Sequence, residues 1–389
     1  MRRAISLDLA GLMADAGRRA ITTATIATAG CMHNRPTAYQ PRSRLKRVVL
    51  PVGALLLFVL LLGGYCVYWR IVAGQLQAGI EAWAAQQRAL GNEIALEWNG
   101  IGGFPFRFAA TFRNPAIRWH DPRADIAWKG AALDAEMTPW NLHEIRVRSD
   151  GRHDASLRAA DGASEWRLAA GGLAGTVELQ GGGALRGFAM ALQQPDLTLP
   201  DGRLVTSARA TLALDLPETP PADFRMPLAH VALGLHGMTV PSGTRLLTAD
   251  PVETLSVDAT IKGPMPAAPL RDALAAWRDA GGVMEVNGFG FAQGPLALAG
   301  NATLALDPDL QPEGAGTVTA TGLGEAVELL IRDGLIPPDR ALAARATAKA
   351  LEKPGPDGKR QATIGLSLQN RTLRFGPVPL LTLQPIAWP

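Results

Sequence analysis

The sequence predicts a mainly β protein with a few helices, of the α+β class, in which a curved and mostly antiparallel sheet follows one N-terminal transmembrane helix. Two patterns carry this prediction. Residues 48–69 form an apolar run without a charged residue, and alternation of apolar with small or polar residues recurs through the rest of the chain. The 42 Gly and 29 Pro add support, because they interrupt long helices and suit turns between short strands.

The run at residues 48–69 is long enough to cross a bilayer. Its 22 residues, at about 1.5 Å each in a helix, match a hydrocarbon core of roughly 30 Å. Tyr65, Tyr68 and Trp69 lie at its distal end, as in an interfacial aromatic belt. Two alternatives are a buried core helix, which is usually shorter, and a cleaved signal peptide, for which no Ala-x-Ala site directly follows the run.

The charges that flank this run predict its orientation. Arg70 alone follows it closely, whereas four basic residues precede it, namely Arg42, Arg44, Lys46 and Arg47. By the positive-inside rule, we expect a cytoplasmic N-terminus in the bacterial inner membrane and a large domain in the periplasm.

The pattern divides the chain into four segments. Residues 1–47 form a basic lead that we expect to be disordered, 48–69 the transmembrane helix, 70–91 an amphipathic stalk helix, and 92–389 the β-rich domain, with a Pro-rich break at 217–221 that suggests two halves. The lead holds nine Lys or Arg against two Asp, a balance of +7 in a chain of net charge +3, so the remainder carries −4. Without a basic excess in the large domain, we expect no nucleic acid partner.

Within the large domain, the alternating segments predict strands with one apolar face, as in an antiparallel sheet that is covered on one side. Helical periodicity predicts helices at 269–280 and 324–335, and a third, alanine-rich helix at 339–352. The strand patterns are at 94–98, 104–108, 212–216, 231–235, 255–261, 296–298, 304–306 and 364–368.

No pattern in the sequence predicts an enzyme, and we expect no catalytic residue, cofactor or metal. The six histidines lack a metal-binding spacing, and both cysteines, Cys31 and Cys66, precede the large domain. His143 and His153 each precede an acidic residue and flank a strand, but nothing marks a nucleophile beside them. The glycines at 181–183 lack a Walker lysine, which favours a role in turns.

Aromatic residues near the start of the exported part are the more informative feature. Core packing is the simplest explanation for them. The alternative is an apolar groove, or a rim near the membrane surface. The candidate residues for that groove or family motif are Phe104, Pro105, Phe106, Arg107 and Trp140.

Four segments of distinctive sequence occur in order along the chain. They are GGFPFR (102–107), PWNLHEI (139–145), DPDLQPEG (307–314) and LRFGPVPL (373–380). Together they resemble the bacterial family called domain of unknown function 2125, whose members are membrane-anchored proteins of alphaproteobacteria. The resemblance covers about residues 45–389 and implies no catalytic residues. More distantly, the Leu-x-Leu strands are similar to AsmA-type envelope proteins, whose long curved sheets are associated with lipid handling.

These patterns lead to two functional hypotheses. The first is a non-enzymatic periplasmic protein whose sheet holds lipid or another apolar chain, because a one-sided strand pattern occurs beside a membrane anchor. The second is an envelope scaffold that binds another protein through sheet edges or its Trp-rich part. A sheet whose apolar face is filled by its own helices would count against lipid binding.

Overall fold

The computed structural model describes most of the chain beyond the N-terminal lead. The described residues are 44–121, 124–159, 164–239, 251–334, 336–355, 358, 360–375, 378–386 and 388. Apart from residues 44–47, the predicted disordered lead lies outside them.

Helix α1 (Arg44–Ala89) joins the predicted membrane segment and the predicted stalk in one continuous helix. From Val52 onward it is long and apolar enough to cross a membrane, with a mean hydropathy of 2.1 in its most apolar window. The large apolar side chains at 55–62 are all exposed. The helix ends just before Gly91, whose φ of +89° is the left-handed conformation that often terminates a helix.

The rest of the described chain is mostly antiparallel strand with three further helices. The helices are α2 (Leu270–Asp279), α3 (Leu323–Arg332) and α4 (Pro338–Leu351), close to the three predicted ones. The strands are β1 (Glu93–Trp98), β2 (Phe108–Asp121), β3 (Ala124–Gly130), β4 (Leu133–Thr138), β5 (Asn141–Ser149), β6 (His153–Ala159), β7 (Glu165–Ala170), β8 (Gly172–Leu179), β9 (Leu185–Gln193), β10 (Asp196–Thr198), β11 (Leu204–Thr206), β12 (Arg209–Asp215), β13 (Pro227–Met238), β14 (Val252–Lys262), β15 (Val283–Gln293), β16 (Leu296–Leu306), β17 (Pro312–Thr321), β18 (Lys353–Pro354), β19 (Arg360–Gln369), β20 (Thr372–Phe375) and β21 (Val378–Thr382).

These strands form one curved sheet that does not close and that divides into two arms at β2. The first half of β2 pairs with β4, and its second half pairs with β3. The main arm continues through β4, β5, β8, β9, β12, β13, β14, β15, β16, β17, β19, β20 and β21. The side arm consists of β3, β6, β7, β10 and β11.

A crease separates the two arms. Five times the chain passes from one arm to the other after a break of one to three residues, as between β5 and β6. Backbone hydrogen bonds still cross this line, for example from Gly171 N to Gln193 O at 2.8 Å. The crease residues are 131–132, 150–152, 171, 194–195 and 207–208.

The structure corrects the predicted strand at 104–108 and shows how the sheet runs past the Pro-rich break at 217–221. The alternation at 104–108 is a turn, not a strand, because Gly102 and Ala109 pair antiparallel and the chain reverses between them. The Phe104–Pro105 peptide bond in this turn is cis. Across the Pro-rich break at 217–221, β12 and β13 pair directly, so the sheet continues from one side to the other.

Candidate functional site

The turn at 103–107 packs against α1 through stacked aromatic rings. Trp69 stacks on Phe108 with ring centroids 5.2 Å apart and meets Phe104 edge-on at 5.5 Å. The Tyr65 ring lies 6.3 Å from Phe104. Aromatic pairs in this distance range add stabilisation beyond area burial, so the turn is held firmly on the helix.

Three side chains of α1 also donate hydrogen bonds to two loops of the sheet. The Tyr65 hydroxyl donates to the Pro105 carbonyl and Trp69 Nε1 donates to the Arg107 carbonyl at 3.2 Å. The Tyr68 hydroxyl donates to the carbonyl of Pro139, at 3.0 Å, in the turn between β4 and β5. Both loops are therefore fixed to the same stretch of α1, just beyond its exposed apolar side chains.

We call this cluster the aromatic collar: Tyr65, Tyr68, Trp69, Phe104, Phe106 and Trp140. Within it, Phe106 is 70% exposed and Trp140 is 72% exposed. All five candidate residues from the sequence lie on the two fixed loops, and Arg107 forms an ion pair with Glu136 at 3.3 Å. Their functional role stays a prediction.

Next to the collar, α1 covers the apolar face of the first strands. Phe108 is 2% exposed, and it packs with Trp69 and Ala73 in a small buried cluster. Met137 of β4 and Leu76 of α1 add to this contact. Phe108 of β2 is thus buried, and Met137 of β4 partly buried, against α1.

The same face continues across the main arm as a line of directly paired residues, the apolar row. It crosses ten strands, which at about 4.8 Å between strands gives a length of roughly 45 Å. None of its members is buried; Leu212 is 42% exposed and Leu233 is 38% exposed. The row consists of Val147, Gly175, Met190, Leu212, Leu233, Val257, Phe289, Gly300, Val318 and Ile364.

The later helices contact strand ends, away from the centre of this row. Trp277 of α2 donates from Nε1 to the carbonyl of Lys262, the last residue of β14, at 2.8 Å. Helices α3 and α4 follow the end of β17, and the carboxylate of Glu352 accepts from Gly324 N at 3.0 Å. Within the described part of the chain, these contacts leave the members of the apolar row half-buried or exposed.

The family comparison matches residues 69–384, which include the collar from Trp69 onward and the whole apolar row, to DUF2125, described as an uncharacterized protein conserved in bacteria. The chain belongs to the DUF2125 family. No match was found among curated proteins or among solved structures.

Two depressions lie along this DUF2125 sheet. In the main arm, a depression of about 730 Å³ is lined by members of the apolar row, such as Leu212 and Leu233, together with small residues such as Gly234. In the side arm, a depression of about 1040 Å³ is lined by apolar side chains and by ion-paired groups, among them Lys129 and Asp154, 3.9 Å apart. The depression in the main arm therefore includes the middle of the apolar row.

The two histidines that the sequence placed beside acidic residues have different surroundings. His153 is 5% exposed at the crease and stacks on Trp128 with centroids 5.8 Å apart. Neither of its ring nitrogens has a hydrogen-bond partner among the described residues. Burial lowers the pKa of His153, and nearby Asp154 opposes that shift only in part. His143, by contrast, is exposed in β5.

A second polar group on the main arm resembles a metal site only in part. His230 Nε2 lies 3.0 Å from Asp258 Oδ2, and its Nδ1 lies 3.6 Å from Asp215 Oδ2. Asn287 donates to the other oxygen of Asp258 at 2.8 Å, and this bond, with help from His230, lowers the pKa of that carboxyl. Among the described residues, no group of His, Cys, Asp and Glu has the arrangement of a metal site.

Proposed function

We propose that this DUF2125 protein is a non-enzymatic protein of the bacterial inner membrane that binds lipid acyl chains on its periplasmic sheet. The observation that carries the proposal is the exposure of the apolar row. This row continues the face that α1 covers at Phe108, so it begins where the membrane helix meets the sheet.

The placement of the collar supports a path from the bilayer to this face. About 21 residues separate Arg47 from Tyr68, which at 1.5 Å per residue spans roughly 32 Å, close to the hydrocarbon thickness. Tyr and Trp favour the membrane interface, because their rings are apolar and their polar ends reach water. The exposed Phe106 and Trp140 then lie at the outer surface of the bilayer.

The energetics favour an acyl chain as the occupant of the apolar row. Soluble proteins rarely expose large contiguous apolar patches, and burial is worth about 25 cal/mol per Å². Each methylene that leaves water contributes about 0.8 kcal/mol, so a chain of about ten covered methylenes gains roughly 8 kcal/mol before the loss of chain entropy. The row is long enough for such a chain.

The test is mass spectrometry of lipid that co-purifies with the full-length protein. We expect stoichiometric lipid with the wild type and at least a tenfold loss with the double variant Leu212→Asp and Leu233→Asp, because charge on the row opposes acyl chains. Ser256→Asp is the matched control, since Ser256 is exposed and precedes Val257 in β14, so that its side chain projects from the opposite face of the sheet. Circular dichroism verifies that all variants fold.

Two results would contradict the proposal. One is wild-type protein without bound lipid, which would favour the envelope scaffold and direct the search to protein partners. The other is equal loss of lipid in the row variant and the Ser256→Asp control, which would mean that the row itself does not hold the chain.

A further inference from the structure

We propose that a polar pocket beside the collar binds the zwitterionic phospho-amine headgroup of a phospholipid. This inference rests on the proposed function and names the lipid class that it selects. The pocket has a volume of about 200 Å³. It is lined by Phe106, Arg107, Glu136, Met137, Thr138, Asn141, Glu144 and Arg146.

The position of this pocket follows from the hydrogen bonds of α1. One wall is the turn at 103–107, which Tyr65 and Trp69 hold. The other wall is the hairpin of β4 and β5, whose turn accepts the hydrogen bond of Tyr68. A pocket between two loops that are fixed at the end of the apolar helix segment lies at the depth of lipid headgroups, with Phe106 beside it for the glycerol and acyl region.

The charges in the pocket balance. Arg107 lies 3.3 Å from Glu136, and Arg146 Nε donates to Glu144 Oε1 at 2.8 Å. Asn141 Nδ2 donates to the second oxygen of Glu144 at 3.2 Å. Each guanidinium uses a single nitrogen in these pairs within the described part of the chain, and an arginine has five N–H donors, so both can also bind a phosphate.

This balance favours a zwitterion over a simple anion. A phosphate alone would meet Arg107 and Arg146 but would also be repelled by two carboxylates, and an amine alone would be repelled by two guanidinium groups. A phosphoethanolamine group carries both charges a few bonds apart. Its phosphate pairs with the arginines while its ammonium pairs with Glu136 and Glu144.

The competing explanation is that the four charges only satisfy one another, as exposed ion pairs often do. The experiment places the full-length protein in nanodiscs with equal phosphatidylethanolamine and phosphatidylglycerol, and native mass spectrometry identifies the retained lipid. We expect roughly fivefold enrichment of phosphatidylethanolamine in the wild type. Arg107→Gln with Arg146→Gln should abolish it.

Arg148→Gln is the matched control, because Arg148 lies on the same face of β5, pairs with Asp150 at 3.1 Å and is outside the pocket.

The double variant Glu136→Gln and Glu144→Gln should reverse the preference toward phosphatidylglycerol, since two arginines then remain without acidic neighbours. This gain in anion binding cannot come from loss of folding. Soluble phosphoethanolamine should compete if the headgroup alone is recognised, and should fail to compete if the site requires a lipid.

Two results would overturn the headgroup site. In one, the wild type shows no enrichment of phosphatidylethanolamine. In the other, that enrichment is unchanged in the arginine and glutamate variants. If the wild type then still retains lipid in the composition of the bilayer, and Leu212→Asp with Leu233→Asp loses it, acyl-chain binding stands without headgroup selection. If no lipid is retained at all, both proposals fail.

Discussion

The start and the middle of the main arm differ in one respect, although they belong to one apolar face. At the start, Phe108 is 2% exposed because α1 lies over it. In the middle, Leu212 is 42% exposed on the same face. Alternation in the sequence is the same in both regions, so it indicates which side of a strand is apolar but not whether anything covers that side.

The largest expected effect is a difference in the free energy of unfolding between variants of these two regions. Phe108→Ala should lower the free energy of unfolding by about 3–5 kcal/mol, because it leaves a cavity under the helix. Leu212→Ala should lower it by less than about 1 kcal/mol in lipid-free protein, since that side chain is already partly in solvent. Urea unfolding of the full chain in mild detergent measures both. Similar losses would mean that Leu212 is covered.

A smaller effect tests the hydrogen bond that ties the covered region to α1. Trp69→Phe keeps an aromatic ring against Phe108 but removes the Nε1 donor to the Arg107 carbonyl. We expect a loss of about 1 kcal/mol in the same unfolding assay. Trp83→Phe is the control, because Trp83 is exposed on the same helix. A loss of equal size in both variants would contradict the assigned contact.

The smallest effect concerns the crease, where His153 is buried, as Phe108 is in the first strands. Because the pKa of His153 in the folded protein is lowered, the unfolded chain binds the proton more readily. Stability is therefore complete above the ordinary pKa of about 6.5 and decreases as the pH falls toward the lowered value. Thermal unfolding between pH 8 and pH 5 measures this slope.

His153→Phe preserves the stacking on Trp128 and removes the titrating group, so the slope should become shallower. The same slope in variant and wild type would show that other groups cause it. Such a result would also mean that the crease admits water to the imidazole.

Elements with a clear period were predicted well from the sequence. Helices α2 and α4 begin and end within one residue of the predicted bounds, because an amphipathic or alanine-rich run ends at glycine or a β-favouring segment. Helix α1 ends at Ala89, close to the predicted end near Gly91, since glycine readily adopts a positive φ. Local sequence patterns are sufficient to predict an element when its bounds depend on residues that are close to it in the chain.

Features that depend on distant contacts were missed. Phe104, Phe106 and Phe108 alternate as strand residues do, yet the turn at 103–107 faces Tyr65, which is 40 residues away from Pro105. The division of the sheet into two arms at β2 was also missed. Both halves of that strand have the same alternation of residues, although the first half pairs with β4 and the second half with β3. The sequence grouped Phe104 to Arg107 with Trp140 as candidates for a groove or family motif, and the hydrogen bonds from α1 show how their two loops are held together, while their role stays a prediction.

Helix α1 is continuous from the portion that is long and apolar enough to cross a membrane to the strands it covers, and this continuity has a mechanical consequence. A continuous helix that is fixed to a sheet at one end passes its inclination on to that sheet. Transmembrane helices tilt when the bilayer becomes thinner than their apolar length. A thinner membrane would therefore incline the whole sheet, and bilayer thickness would set the angle at which its exposed face stands above the lipid.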